Sequence, residues 1–213
     1  FQVILTTSNH RPYDFPEGRI DIKSHTGRDG AVKYTDFAIG RFVEQARKKS
    51  WFNNTLFVFV ADHNASVAGG TEIPIADYLI PVIFYNPGLV KPQVSEKLGS
   101  QIDVAPTLLS LLGFSYRSWF FGQNLMQHEG GRAFLGTYQK VALLEPGRMV
   151  ILEPNRRALI QQLNPNGTVK NAELFRGSST NLPEEIRRTV AVYQSAAELF
   201  AKGLSKEKAA NAE

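Results

Sequence analysis

The chain has 213 residues, 43% hydrophobic and 21% charged, with 24 Lys and Arg against 20 Asp and Glu for a formal charge of +4; this fits one domain, or one domain with a small appendage, long enough for a sizeable core. The absence of cysteine excludes disulfides, thiolate metal sites and a cysteine nucleophile, and no apolar run reaches the roughly 18 residues of a membrane-spanning helix. The basic residues are scattered, and short clusters such as Arg47-Lys48-Lys49 suit a solvated helix end, so no basic stripe with stacking aromatics marks a nucleic-acid partner.

Residues 1–6 (FQVILT) read as a buried strand. The sequence opens directly on this run, with methionine only at Met126 and Met149, so the chain is expected to continue an upstream part. Residues 8–30 hold two prolines and several glycines and predict a long irregular loop, a feature that is often functional. Residues 31–49 show helical period, with Val32, Thr35, Ile39, Phe42 and Ala46 on one face. Residues 51–54 close that helix and lead into the apolar run 55–61 (TLFVFVA). A continuous run of this kind predicts a strand buried on both faces of a helix-covered sheet. In such sheets ligands gather where the carboxyl ends of the strands open into a crevice.

A Gly-rich loop at residues 68–70, a short strand at 81–85 and a turn at 86–88 follow. A helix is predicted over residues 104–112, with Asp103 as N-cap and Pro106 in the first turn. From Arg132 the texture changes. Short strand-like runs at 133–139, 141–144, 149–152 and 157–160, separated by turns at 145–147 and 153–155, predict an antiparallel meander. Residues 164–167 (NPNG) are a strong turn signal. The last helix is expected from Asn181, with Pro183 and Glu184 in its first turn. Ile186, Val190, Tyr193, Ala197, Phe200 and Leu204 form its apolar face, and docking onto the domain is preferred to a coiled coil. Residues 205–213 are expected to fray. Strand–helix–strand alternation over residues 1–115 argues α/β architecture. The expected division is 1–130 for the α/β part, 131–180 for a small antiparallel β subdomain, and 181–213 for the last helix and tail.

Asp62 and His63 end the run 55–61. A carboxylate beside an imidazole joins a hard oxygen donor to a borderline nitrogen donor, a combination that suits Zn²⁺, Mn²⁺ or a similar divalent ion. An Asp that caps the next loop beside a packed His is the plain alternative, and the pair alone leaves both open. His10 lies at the same strand-end edge if runs 1–6 and 55–61 are parallel; otherwise it is an ordinary loop histidine. His25 and His128 read as solvated surface residues. Tyr34, Asp36, Ser66 and Thr71 either shape the site or satisfy hydrogen bonds. Glu72 is a supporting acid or a plain loop charge. A Ser8–His10–Asp62 triad is set aside, because no Gly-x-Ser-x-Gly elbow is present.

As an ordered set, residues 7–13 (TSNHRPY), 32–40 (VKYTDFAIG), 61–63 (ADH), 68–74 (AGGTEIP) and 101–109 (QIDVAPTLL) resemble the sulfatase branch of the alkaline phosphatase superfamily. Within that branch they are most similar to the lipoteichoic-acid synthase-like sulfatases and phosphoglycerol transferases. The resemblance implies an α/β fold: part of an alkaline phosphatase/sulfatase-like α/β/α sheet, followed by a small antiparallel β subdomain and a C-terminal helix. It implies that Asp62 and His63 ligate a catalytic divalent metal, Mn²⁺ foremost, with Mg²⁺, Zn²⁺ or Ca²⁺ as alternatives. It implies a catalytic role for His10, and substrate binding by His10 and Arg11.

The substrate so implied is an anionic sulfate or phosphate ester, lipid-linked in part of the family. The implied location is the cytoplasmic (inner) membrane, with an anchor outside these residues and the catalytic domain facing the periplasm or exterior. Family members also need a further acidic ligand and a nucleophile, a Thr or a modified Cys or Ser. Both are expected upstream of Phe1, so the chain is expected to be the C-terminal part of a catalytic domain and inactive by itself. Asn64 replaces the Gly of the commonest sulfatase pattern, which points to the wider family rather than to a strict arylsulfatase. The alternative is a noncatalytic binding or scaffolding domain that keeps the fold, since these residues carry no family nucleophile. A periplasmic anion-binding domain rests on net charge alone.

Overall fold

A computed structural model of the chain describes residues 1–65, 72–129, 131–177 and 182–203. The chain divides into two compact units: Phe1–Thr55 with Asn86–Gly88, and Leu56–Tyr85 with Leu89–Glu213. The sequence features at Ser66, residues 68–70, Thr71, Asn181 and Leu204 lie outside the described residues. Among the described residues no helix is long and apolar enough to cross a membrane.

The first unit is built on helix α1, Arg28–Ala46, which starts ahead of the predicted residue 31. Its N-cap, Gly27, has φ 142°, a backbone angle that side-chain-bearing residues rarely adopt. Phe15 stacks on Tyr34 with ring centroids 5.1 Å apart. The buried Ser24 hydroxyl accepts the Phe15 N–H at 2.9 Å, and the Ser24 N–H donates to Glu17 Oε1 at 3.0 Å. These bonds fold the loop before α1 back on itself. Gly30, Ala31 and Ala46 are the buried residues of α1, whereas Val32 and Phe42 of the predicted apolar face are exposed. Periodicity locates the helix, and its predicted face is buried in part: Ala46 is buried and Thr35 and Ile39 are half-buried, while Phe15 and Ile22 of the loop close on Gly30.

Residues 1–6 do not form the predicted buried strand. They join no ladder among the described residues, and Phe1, Val3, Ile4 and Leu5 are exposed. An apolar run becomes a strand only where a neighbour takes up its N–H and C=O groups. The unit closes at the 3-10 turn Phe52–Asn54, where the Asn86 side chain donates to Asn53 O at 3.2 Å and Thr55 O at 2.9 Å.

The second unit opens with β1, Phe57–Val60, paired antiparallel with β2, Val82–Tyr85, so that Phe57 faces Tyr85 and Val60 faces Val82. Burial on both faces was predicted for β1, but it falls from Phe57 at 8% exposure to Val60 at 45%. A two-stranded ladder supplies too little cover for more. Helix α2, Val104–Leu111, follows a 3-10 turn over Gln101–Asp103. Asp103 is the N-cap residue of α2, as predicted, though its side chain makes no cap bond there; Ser100 caps the preceding turn, and Ser100 and Asp103 form a capping box in which the Ser100 N–H donates to Asp103 Oδ2 at 2.8 Å. Asp103 is 1% exposed; its Oδ1 accepts the Gln123 N–H at 2.7 Å and lies 3.4 Å from Arg132 Nη1. Arg132 also donates to Phe121 O. Gly122 passes so close to this turn that a Cβ there would lie 1.9 Å from Ile102 O.

The predicted meander is present, in the spatial order β3 (Ala133–Gly136), β4 (Val141–Glu145), β5 (Arg148–Glu153), β6 (Arg157–Leu163) and β7 (Val169–Arg176), with antiparallel neighbours throughout. Ser100 Oγ accepts the Phe134 N–H at 2.6 Å and so ties the sheet to the capping box. Side chains alternate across the sheet. One face buries Ala142, Leu144, Met149 and Ile151 with Ala133 and Ile73. The other buries Val150, Ala158 and Ile160 against Ile186 of α3, Glu184–Ala201. The last helix therefore docks on the sheet. Phe200, on the same predicted face, is exposed. Strand β7 was not predicted, because nearly all of its side chains are exposed and its residues lack apolar alternation. The NPNG turn brings it in: the Asn164 N–H donates to Thr168 O at 2.8 Å, and Gly167 has φ 80°.

Polar groups lock α3 down. The Tyr193 hydroxyl lies 2.9 Å from Ala142 O and 3.1 Å from Leu135 O. Arg148 donates to Glu145 at 2.9 Å and to Glu185 at 2.7 Å, and Arg188 reaches the same Glu145 carboxylate.

Asp103→Ala strands the Ser100 and Gln123 amides and the Arg132 guanidinium, and is expected to cost about 3 kcal/mol or more; the shift of the urea midpoint checks this. Burial pushes the Tyr193 phenol from its ordinary value of 10.0 up to about 12. The folded state thus favours the neutral phenol. Its contribution is complete below pH 10 and is lost as the pH rises towards 12. Thermal melts across that window are expected to be flatter for Tyr193→Phe than for the wild type.

Candidate functional site

Strand β1 delivers Asp62 and His63 just beyond Ala61, whose N–H still reaches Pro81 O at 3.3 Å. Asp62 Oδ1 accepts the His63 N–H at 2.9 Å. Its other oxygen, Oδ2, lies 3.5 Å from His63 Nε2. His63 Nδ1 is 2.8 Å from Asn64 O. A carbonyl only accepts, so this bond puts the imidazole proton on Nδ1 and leaves a lone pair on Nε2. Both side chains are exposed, and Gln101 Nε2 donates to the carbonyls of Ala61 at 2.8 Å and Asp62 at 2.7 Å. The Asn64 amide donates to Leu79 O at 3.2 Å.

These donors suit a divalent ion. Metal–ligand bonds of about 2.1 Å in a tetrahedron place neighbouring ligand atoms about 3.4 Å apart. The 3.5 Å between Oδ2 and Nε2 meets that spacing. Among the described residues, no group of three or more His, Cys, Asp or Glu is arranged to hold a metal.

His10 and Arg11 belong to the first unit and sit on a tight turn. The His10 N–H donates to Thr7 O at 3.0 Å, and the Tyr13 N–H donates to His10 O at 2.8 Å. His10 Nδ1 lies 2.7 Å from Arg11 O, which again leaves Nε2 free of the proton. Thr7, His10, Arg11, Pro12 and Asp14 line a hollow of about 290 Å³. Thr35 of α1 donates to Asn9 Oδ1 at 3.3 Å, which ties the turn to the helix. Hydrogen bonds from Arg11 first, and Arg28 second, hold the Tyr13 phenol below its ordinary range. Arg28 donates to the Tyr13 hydroxyl at 3.3 Å, with its guanidinium 5.9 Å from the ring centroid.

The remaining candidates serve the fold or the surface. Tyr34 stacks on Phe15, and Asp36 and His128 are exposed. His25 Nε2 lies 3.4 Å from Asp14 Oδ1. Glu72 is exposed and pairs with Lys140 at 2.8 Å, the loop-charge reading of that residue. The parallel strands on which a strand-end place for His10 was conditional are not found among the described residues: residues 1–6 form no strand, and β1 pairs antiparallel with β2. The structure adds Gln101, Tyr13 and Arg28. No local pattern marks Gln101, whose targets lie 40 and 39 residues away in sequence.

The family model described as Sulfatase matches residues 1–114. The lipoteichoic acid synthase-like protein YvgJ of Bacillus subtilis is 27% identical over 150 residues, covering 59% of this chain and 24% of that protein. A lipoteichoic acid synthase of Staphylococcus aureus is 22% identical over 214 residues, covering 81% of this chain and 32% of its own. The crystal structure of a protein in the alkaline phosphatase superfamily from Vibrio parahaemolyticus superposes with a TM-score of 0.81 at 28% identity, over 95% of this chain and 49% of that one. The chain thus spans about a quarter to a third of the length of these curated relatives.

Replacing Arg11 by Ala is expected to raise the Tyr13 phenol back towards its ordinary value, with Arg28→Ala giving a smaller rise. Titration of carbon-13-labelled tyrosines by NMR reads this directly. An unmoved Tyr13 would show that Arg11 does not bond the phenol.

Proposed function

The chain belongs to the sulfatase family, with the fold of the alkaline phosphatase superfamily and a likeness to the lipoteichoic acid synthases, and from that premise we propose that it supplies part of a metal-dependent site that cleaves or transfers sulfate or phosphate esters. The carrying observation is the Asp62–His63 pair, which sets the carboxylate oxygen Oδ2 and the imidazole nitrogen Nε2 3.5 Å apart at the end of β1. In this reading Asp62 and His63 hold a divalent ion, Mn²⁺ before Mg²⁺, Zn²⁺ or Ca²⁺. When bound, such an ion supplies Lewis acidity, polarising an ester oxygen and lowering the pKa of an attacking hydroxyl.

The chain's own groups do the rest. Asn64 O, by accepting from Nδ1, keeps His63 in the tautomer that ligates through Nε2. Arg11 neutralises anionic ester oxygens, and His10, whose Nδ1 is taken by Arg11 O, turns Nε2 to the ester, where the doubly protonated ring can donate to the leaving oxygen. In this reading a nucleophile and a further acidic ligand come from residues outside this chain. The division into 1–130, 131–180 and 181–213 belongs to this reading. So do a membrane anchor elsewhere in the protein and action on the outer face of the cytoplasmic membrane. Relatives named for lipoteichoic acid synthesis favour a lipid-linked phosphoglycerol-type substrate over a sulfate ester.

In the full-length protein, Asp62→Asn or His63→Ala is expected to weaken Mn²⁺ binding at least tenfold and to remove ester turnover, which chelation of the metal also removes; calorimetry and hydrolysis of labelled phosphatidylglycerol against an aryl sulfate check both. Unchanged metal binding in both variants sinks the assignment and leaves a scaffolding domain. The 213-residue chain alone is expected to bind Mn²⁺ weakly and to show no turnover. Tight calorimetric binding by it counts against a site shared with residues outside the chain.

A further inference from the structure

We propose that Gln101 is a positioning residue for the Asp62–His63 pair, fixing the backbone from which both ligand side chains project. The inference rests on the metal reading of that pair. Gln101 Nε2 donates to Ala61 O at 2.8 Å and to Asp62 O at 2.7 Å, so each hydrogen of one carboxamide has its own carbonyl. The two carbonyls belong to the rigid peptide planes on either side of the Asp62 Cα. Holding both planes sets φ and ψ of Asp62, and with them the direction of its Cα–Cβ bond. The second plane also carries the His63 N–H, which occupies Asp62 Oδ1 at 2.9 Å. That leaves Oδ2 as the oxygen turned to His63 Nε2. One side chain thereby fixes the backbone on which this arrangement is built.

The base from which Gln101 reaches is itself fixed. It is the first residue of the turn Gln101–Asp103, between Ser100 and the buried Asp103 of the capping box. The next residue, Ile102, is backed by Gly122 at a distance that admits no side chain there. Gln101 itself is exposed, so shortening it opens no cavity in the core.

The test uses the full-length protein, with Gln101→Met, which keeps the length and removes the donors, and Gln101→Ala. Asp62→Asn runs beside them. Mn²⁺ affinity by calorimetry is expected to fall about 10–100-fold in both Gln101 variants, with an altered electron paramagnetic resonance spectrum of the bound ion. Circular dichroism and the melting midpoint stay close to wild type, which separates positioning from loss of fold. If Asp62→Asn loses the ion while both Gln101 variants bind it as the wild type does, the positioning role is overturned and the metal site stands. If Asp62→Asn binds normally, the metal reading falls and this inference falls with it.

Discussion

A single buried carboxylate organises the second unit. Asp103, 1% exposed, needs donors for both oxygens, and it finds them in the amides of Ser100 and Gln123 with Arg132 alongside. A buried charge without such partners is far costlier than the net worth of its bonds, so only an arrangement that supplies all of them is stable. That demand starts α2, holds the segment around Gln123 against it, and leaves Ser100 Oγ to take the Phe134 N–H at the edge of the meander. The strand end bearing Asp62 and His63 is held from the same turn through Gln101. Site and sheet therefore share one foundation.

The meander supplies a packed core on both of its faces. Its strands alternate so that Met149 and Ile151 face one layer while Val150 faces the helix layer. Both faces of β5 are thus dry. This gives the five-stranded sheet a core on each side and a firm edge at β3 for the capping box to grip.

Elements defined by local chemistry were legible in the sequence. Strand β2, helix α2, the turn at residues 164–167 and the docking face led by Ile186 all follow from period or turn residues, which act within a few positions. What depended on distant partners was not legible. Residues 1–6 carry a strand's composition but join no ladder among the described residues. The period of α1 does not reveal that Gly30 and Ala31, rather than Val32, meet the loop. Asp103 was legible as the N-cap of α2, but not the partners of its carboxylate, which come from residues 100, 123 and 132. At the site, the end of an apolar run marked Asp62 and His63, and resemblance to the family marked His10 and Arg11. The proton placement on both imidazoles comes from carbonyls of neighbouring residues in particular conformations. The Gln101 bridge spans 39 residues to Asp62 and leaves no trace in local pattern.

The charges that fasten α3 to the sheet have a further property. Glu145, Arg148 and Glu185 are half-buried and share their hydrogen bonds, with Arg188 joining from the rim. Dissolved ions screen exposed pairs over about 10 Å at 0.1 M salt, but they enter such a shielded cluster poorly. Added salt therefore loosens this fastening less than it would loosen pairs on the open surface, so the hold on α3 outlasts the helix's exposed pairs such as Arg187 with Glu184.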